Sequence, residues 1–122
     1  MASISHDLLT FHLVSANGTN ATLIRAAAVS PDQEGVRLYG WFIYNANASA
    51  RKVAFHDVSG TPTAGEAVKF SLVIPGNSAA NVNFTDAMKF SAGLAITTTT
   101  GIADSDSAGV AANDLDINLW YK

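Results

Sequence analysis

The chain closes on GLAITTTT (Gly93–Thr100), GIADSDSAGVAAN (Gly101–Asn113) and DLDINLWYK (Asp114–Lys122). The first segment has the composition of a β-strand, and the last alternates apolar and polar side chains, which is typical of a strand with one buried face. The segment between them is rich in small residues and resembles neither a solvated linker nor a catalytic motif. This stretch predicts that the end of the chain is a strand inserted into a sheet.

The composition is that of one domain that relies on a packed core. The chain has 122 residues and no cysteine, which excludes disulfides, zinc-thiolate sites and thiol nucleophiles. Hydrophobic residues make up 48% and charged residues only 14%, whereas soluble domains carry roughly 25% charged residues. A surface this poor in charge favours burial against neighbouring subunits, and we expect self-association as a dimer or trimer.

The charge pattern excludes two classes of partner. The net charge is −3, and the largest basic cluster is the pair Arg51-Lys52, whereas binding to phosphate groups requires several basic residues on one face. No apolar run approaches the roughly 20 residues of a membrane span. We therefore expect neither nucleic acid nor membrane as a partner. Residues 1–14 show no signal peptide, so synthesis in the cytoplasm is expected.

Period-two alternation dominates the rest of the chain. Strands are predicted at 9–14, 22–26, 36–45, 53–57 and 68–74, a short one around Val82 and Phe84, a longer one over Lys89–Phe90 and Leu94–Ile96, and the terminal strand. The run 36–45 is apolar on both faces, which predicts a central strand. Helical spacing is never sustained, although 26–29 or 85–88 has room for one turn.

About eight strands with regular turn signals predict an all-β fold. We expect a single domain spanning residues 1–122, with residues 1–8 as an extended N-terminal arm. The architecture is an antiparallel β-sandwich or barrel, and the strand count favours a jelly roll. The missing helices exclude a doubly wound α/β fold.

The candidate catalytic and metal-binding patterns are incomplete. The segment that begins at Asp104, with Asp106 at its third position, resembles a calcium loop. Its fifth position is Ala108 and its twelfth is Leu115, where a calcium loop requires oxygen ligands. The histidines, His6, His12 and His56, lack ligand spacing, and neither a nucleophile elbow nor a pair of catalytic carboxylates is present. We therefore predict no enzymatic activity, no metal and no cofactor.

One strand carries a cluster of aromatic residues with two interpretations. Tyr39 and Trp41 share a face by the strand period, and could form a sugar-stacking platform. A place in the core or at a subunit interface is favoured, because Ile43 shares that face and aromatic residues dominate such contacts.

From Tyr39 onward the sequence resembles a group of small virion proteins of tailed bacteriophages. The matching segments are LYGWFIYNANASARKVAFHD, GTPTAGEAVKFSLVIPGNSAANVNF and MKFSAGLAITTTTGIADSDSAGVAANDLDINLWYK. They cover about two-thirds of the chain, and residues 1–35 show no such likeness. These motifs mark turns and strand ends, so they indicate a fold more specifically than a function, and no catalytic residue is transferred with them.

The resemblance implies a capsid decoration (cement) protein with a jelly-roll-like sandwich. Such a protein lies on the outer surface of the virion, binds the major capsid protein and reinforces contacts between its subunits. The alternative is a carbohydrate- or receptor-binding module of a phage tail or fibre, for which Tyr39 and Trp41 are the ligand face. From expected exposure and chemistry, the candidate contact residues are His6, Asp7, Asn17, Asn47, Arg51, Thr98, Asp104, Asp106 and Trp120. The loop 100–112 is a candidate contact arm.

Overall fold

The computed structural model describes residues 8–28 and 35–122. The candidates His6 and Asp7, most of the predicted arm and most of the polar turn at 30–35 lie outside these ranges. The strands are β1 (Leu9–Val14), β2 (Thr22–Ala26), β3 (Val36–Asn45), β4 (Arg51–Asp57), β5 (Val68–Ile74), β6 (Ser78–Phe90), β7 (Gly93–Thr99) and β8 (Leu115–Tyr121).

The eight strands form two antiparallel sheets of four. One sheet has the order β1-β8-β3-β6 and the other β2-β7-β4-β5, so that β1–β2, β3–β4, β5–β6 and β7–β8 each cross from one sheet to the other. This is the strand order of a jelly roll, and the predicted all-β sandwich is confirmed. The terminal strand β8 lies between β1 and β3, and β3 is central as predicted. Within the described ranges, no helix is long and apolar enough to cross a membrane.

Aromatic rings fill the centre of the space between the sheets. Trp41 of β3 packs against Phe55 of β4, with ring centroids 5.6 Å apart. Phe55 stacks on Phe70 of β5 at 4.5 Å, and Phe84 of β6 meets the Trp41 ring edge-on at 5.3 Å. These rings connect both sheets, and their contacts contribute beyond the area that they bury.

The prediction was wrong on the bounds of β6. Lys89–Phe90 belongs to β6 and not to the following strand, and the proposed helical turn at 85–88 also lies within β6. The turn is Ser91–Ala92, which lacks a strong turn signature. Its backbone N–H groups, and that of Gly93, donate to the carboxylate of Asp57. A residue 34 positions away in sequence therefore supports the turn that links the two sheets, and local patterns do not reveal such a partner.

A bulge in β3 separates the two residues of the predicted ligand face. The register with both neighbouring strands shifts between Leu38 and Gly40, which leaves Tyr39 as the bulged residue. Trp41 is 7% exposed and lies in the core with Ile43. The burial of Trp41 opposes the Tyr39–Trp41 ligand face, and of the two favoured places, the core or a subunit interface, Trp41 occupies the core.

Candidate functional site

One end of the sandwich holds a buried polar cluster centred on Asp114. Its Oδ2 accepts hydrogen bonds from Arg51 Nε at 2.9 Å and from the N–H of Ala111 at 3.0 Å, and its Oδ1 accepts one from Asn47 Nδ2 at 3.1 Å. The Asp114 side chain is 8% exposed and that of Arg51 is 14% exposed. The cluster joins the β3–β4 loop, the start of β4 and the β7–β8 loop, so two predicted contact residues are engaged within the chain.

The charge of Asp114 is stabilised by these contacts. Burial alone raises the pKa of its carboxyl group, but the hydrogen bonds from Arg51, Ala111 and Asn47 outweigh burial and hold the pKa below its ordinary value. An ionised carboxylate that accepts several hydrogen bonds is the expected result of such a donor set. The cluster has a structural role at this end of the sandwich, because the donors Arg51, Ala111 and Asn47 connect separate segments of the chain through one carboxylate.

The β1–β2 loop is fastened to the same end. Asn20 Nδ2 donates to Thr98 Oγ1 at 2.8 Å, and the N–H of Thr98 donates to the carbonyl of Thr19. Asn17 is exposed, and its Oδ1 accepts a hydrogen bond from the N–H of Ala112 at 3.0 Å. Thr98 is completely buried, so its prediction as a contact residue is wrong: its side chain supports the loop and presents nothing to a partner.

Two loops cover the outer face of the β2-β7-β4-β5 sheet. The outward side chains of β4 and β7, among them Lys52, His56 and Thr97, are at most 2% exposed. The Nζ of Lys52 donates to the carbonyl of Ala103 and lies 3.7 Å from Asp104 Oδ1. The loop 100–109 is therefore packed against the sheet. This placement opposes its prediction as a free contact arm, although Ile102 at its tip is 64% exposed.

Asp104 and Asp106 serve this packed loop in different ways. Asp104 also accepts a hydrogen bond from Ser71 Oγ at 3.1 Å, while its side chain stays 68% exposed. Asp106 Oδ2 accepts the N–H of Ala103 at 2.9 Å and so stabilises the turn of the loop. Among the residues that the structure describes, no group of three or more His, Asp or Glu side chains is placed to hold a metal ion.

The outer face of the β1-β8-β3-β6 sheet, by contrast, is open to solvent within the described ranges. We call it the open face. The register places its side chains in three cross-strand rows: Thr10–Trp120–Gly40–Asn83, His12–Asn118–Phe42–Asn81 and Val14–Asp116–Tyr44–Ala79. Val14, Phe42 and Tyr44 are 44%, 43% and 39% exposed.

Hydrogen bonds order the polar side chains of the open face. His12 Nε2 lies 2.8 Å from Asp116 Oδ1, which also accepts a hydrogen bond from Asn118 Nδ2 at 3.2 Å. Trp120 Nε1 donates to Asn83 Oδ1 at 2.8 Å. Such cross-strand pairs hold neighbouring side chains in register. The open face is therefore a flat, partly ordered surface that combines aromatic rings, amides and a single acid–histidine pair.

Among the described residues, the predicted contact residues do not come together in one site. Asn17, Asn47 and Arg51 lie at the Asp114 end, Asp104 and Asp106 lie in the covering loop, and Trp120 lies on the open face. Phe42 and Tyr44, which are exposed on this face, were not among the predicted contact or ligand-face residues. The alternation of Trp41 and Ile43 with Phe42 and Tyr44 was the available signal, because a core assignment for one pair sends the other pair outward.

Comparisons with known proteins identify no family for this chain. No protein-family model and no curated protein matches the sequence. Among solved structures, the chain is similar to the coat protein of tobacco streak virus in a C2 crystal form, at 10% identity and a TM-score of 0.40, over 100% of this chain and 90% of that one. A dimer of the same coat protein gives 9% identity, a TM-score of 0.38, and 99% and 89% coverage. Likeness at these TM-scores supports no conclusion about what this chain does.

Proposed function

We propose that the protein is a non-enzymatic virion structural protein that binds the outer capsid surface as a decoration protein. In this role it reinforces contacts between major capsid protein subunits and assembles with further copies of itself. The observation that carries the proposal is the open face, since loops cover the outer side of β4 and β7 in one sheet while the other sheet leaves Val14, Phe42 and Tyr44 in water. The sequence resemblance to small phage virion proteins supports the same role.

The chemistry of the open face suits a protein partner. The three cross-strand rows contain no Lys, Arg or Glu, and their His12 and Asp116 pair with each other; the pair Arg37–Lys89 lies beyond these rows, at the start of β3. Interfaces are enriched in aromatic residues and depleted in charge at their centres, as this face is. Docking of the open face on a capsid surface removes apolar area from water without leaving an unpaired charge buried.

The contribution of the two exposed rings follows from their area. With 43% and 39% exposure, Phe42 and Tyr44 each offer on the order of 80 Å² of surface. Complete burial of that area contributes about 2 kcal/mol for each ring. Loss of one ring therefore weakens binding by roughly thirtyfold.

Binding to empty capsids of the major capsid protein tests the role. We expect the double variant Phe42→Ala, Tyr44→Ala to lose at least a hundredfold in affinity by co-sedimentation, with unchanged thermal stability. Val73→Ala is the matched control, because Val73 is 47% exposed on the other sheet. Capsid binding that the double variant retains, or that the control loses equally, contradicts the proposal.

A carbohydrate-binding role is the second candidate, and the open face also favours it. Phe42, Tyr44 and Trp120 offer ring surfaces beside the amides of Asn81 and Asn83, and aromatic rings with a few polar groups are common in ligand sites. A glycan array separates the two functions. If the protein binds a glycan, the ring substitutions abolish that binding, and the protein does not bind capsids, then the carbohydrate-binding role replaces the capsid role.

A further inference from the structure

His56 lies on the covered face of β4, and the loop 58–67 places the backbone of Glu66 and Ala67 beside its ring. The loop 58–67 leads from β4 to β5, and the loop 100–109 leads from β7 towards β8. The two loops touch, since a Cβ atom on Gly65 would lie 2.7 Å from the carbonyl oxygen of Ser105. Movement of either loop therefore disturbs the other.

The imidazole of His56 is buried, and only one of its two nitrogens makes a hydrogen bond within the described part of the chain. The side chain is 0% exposed, and Nε2 lies 2.8 Å from Thr97 Oγ1 on β7. Within the described part of the chain, Nδ1 has no hydrogen-bond partner. The carbonyls of Glu66 and Ala67 lie near the ring and favour a protonated form, but they do not complete a hydrogen bond with Nδ1. This site accommodates a neutral imidazole, whereas burying a protonated imidazole without a hydrogen-bond acceptor for each N–H group costs free energy.

The charged groups around His56 lie on several elements. On its own strand, Lys52 shares the covered face and opposes a second positive charge, and Asp57 is held by the β6–β7 turn. Glu66, exposed, comes from the loop 58–67 and Lys69, exposed, from β5. The loop 100–109 supplies Asp104 and Asp106, of which Asp104 pairs with Lys52 and Asp106 with the backbone of its own loop.

Burial dominates the balance of these effects. It lowers the pKa of His56, the Ala67 and Glu66 carbonyls partly oppose this shift, and Lys52 adds to it. When the pKa of a histidine is lower in the closed state than in the open state, the neutral ring stabilises the closed state. This stabilisation is fully present above the pKa of the open state, which is near 6.5. That stabilisation declines below pH 6.5 and is lost as the pH falls through the pKa of the closed state.

We propose that the loops 58–67 and 100–109 form an acid-sensitive latch over the β2-β7-β4-β5 sheet. The latch is closed while the ring of His56 is neutral, and it opens when the ring takes up a proton and moves into water. Opening exposes the outer face of β4 and β7 and leaves the open face of the other sheet unchanged. The inference stands independently of the proposed capsid role.

Hydrogen exchange of the full chain at pH 7.5 and pH 5.0 tests the latch. After correction for intrinsic exchange, we expect opening of both loops to rise by roughly tenfold for each unit of pKa lowering, while β8 stays protected. His56→Gln keeps a neutral polar side chain and removes the pH dependence. His12→Gln is the matched control, since His12 is an exposed histidine on the other sheet and its loss leaves the pH response intact.

The wild-type protein provides a second test that does not depend on how the variants fold. An NMR titration of the imidazole carbons gives the midpoint for His56, which we expect below the ordinary histidine value of about 6.5 and coincident with the midpoint of loop exchange. Equal loop protection at both pH values contradicts the latch. The latch is also contradicted if acid-dependent loop opening persists in His56→Gln, or if the pH midpoint of loop opening differs from the titration midpoint of His56.

Discussion

Replacement of Asp114 by alanine tests whether the polar cluster at the end of the sandwich is structural. The change leaves three donors, Arg51 Nε, Asn47 Nδ2 and the N–H of Ala111, without their acceptor. A hydrogen bond to a charged group contributes roughly 1.5–3 kcal/mol, and removing one partner of a buried ion pair costs about 3–5 kcal/mol. Arg51 keeps its bond to the Ala50 carbonyl, so we take the lower end of that range, about 3 kcal/mol.

Urea denaturation and calorimetry measure this loss. For a domain of this size, about 3 kcal/mol lowers the melting temperature by roughly 10–15 °C. Asp116→Ala is the matched control, because Asp116 is half-exposed beside His12 and such surface pairs contribute only about 0–1 kcal/mol. A loss below about 1 kcal/mol for Asp114→Ala refutes the structural role. If that variant instead stays stable and loses capsid binding, Asn47 and Arg51 act as contact residues.

The pH dependence of the same difference gives an independent check. Because the pKa of Asp114 is lower in the folded chain, its carboxylate contributes stability that is fully present above the unfolded value of about 3.9. That contribution disappears as the pH falls through the folded pKa. The stability difference between wild type and Asp114→Ala is therefore constant from pH 7 to about pH 5 and shrinks below about pH 4. A difference that grows on acidification contradicts this assignment.

Two further substitutions test the core and the bulge of β3. Trp41→Ala removes the ring that packs on Phe55, and we expect a loss of about 3–5 kcal/mol in urea denaturation; a stable variant would show that the core is centred elsewhere. Gly40→Ala places a methyl group against the carbonyl of Val82 and the indole of Trp120, and we expect a loss of about 1–3 kcal/mol with altered tryptophan fluorescence. Unchanged stability and fluorescence would refute that close approach.

The sequence specified the strands better than the surfaces. The bounds of β1, β2, β3 and β5 agree with the prediction, and in β1 and β5 the inward residues repeat at the period of a strand. The turn at Ser91–Ala92 was missed because its support comes from Asp57, on a strand distant in sequence. Local patterns carry no record of such a contact.

The candidate site was harder to predict, since exposure depends on tertiary structure. Thr98 and Lys52 look like surface residues in sequence, yet each lies beneath or beside a loop that returns from a distant part of the chain. Phe42 looks like a core residue, but its outward position follows once Trp41 is placed inside. The polarity of a side chain alone did not separate these cases, because the loops decide which sheet face is covered.

A cryo-EM map of the intact virion tests the central claim most directly. The account predicts density for this chain on the outer surface of the capsid, with Phe42 and Tyr44 of the open face against the major capsid protein. Density for the chain in the tail or a fibre, or on the capsid with Phe42 and Tyr44 turned towards solvent, would contradict it.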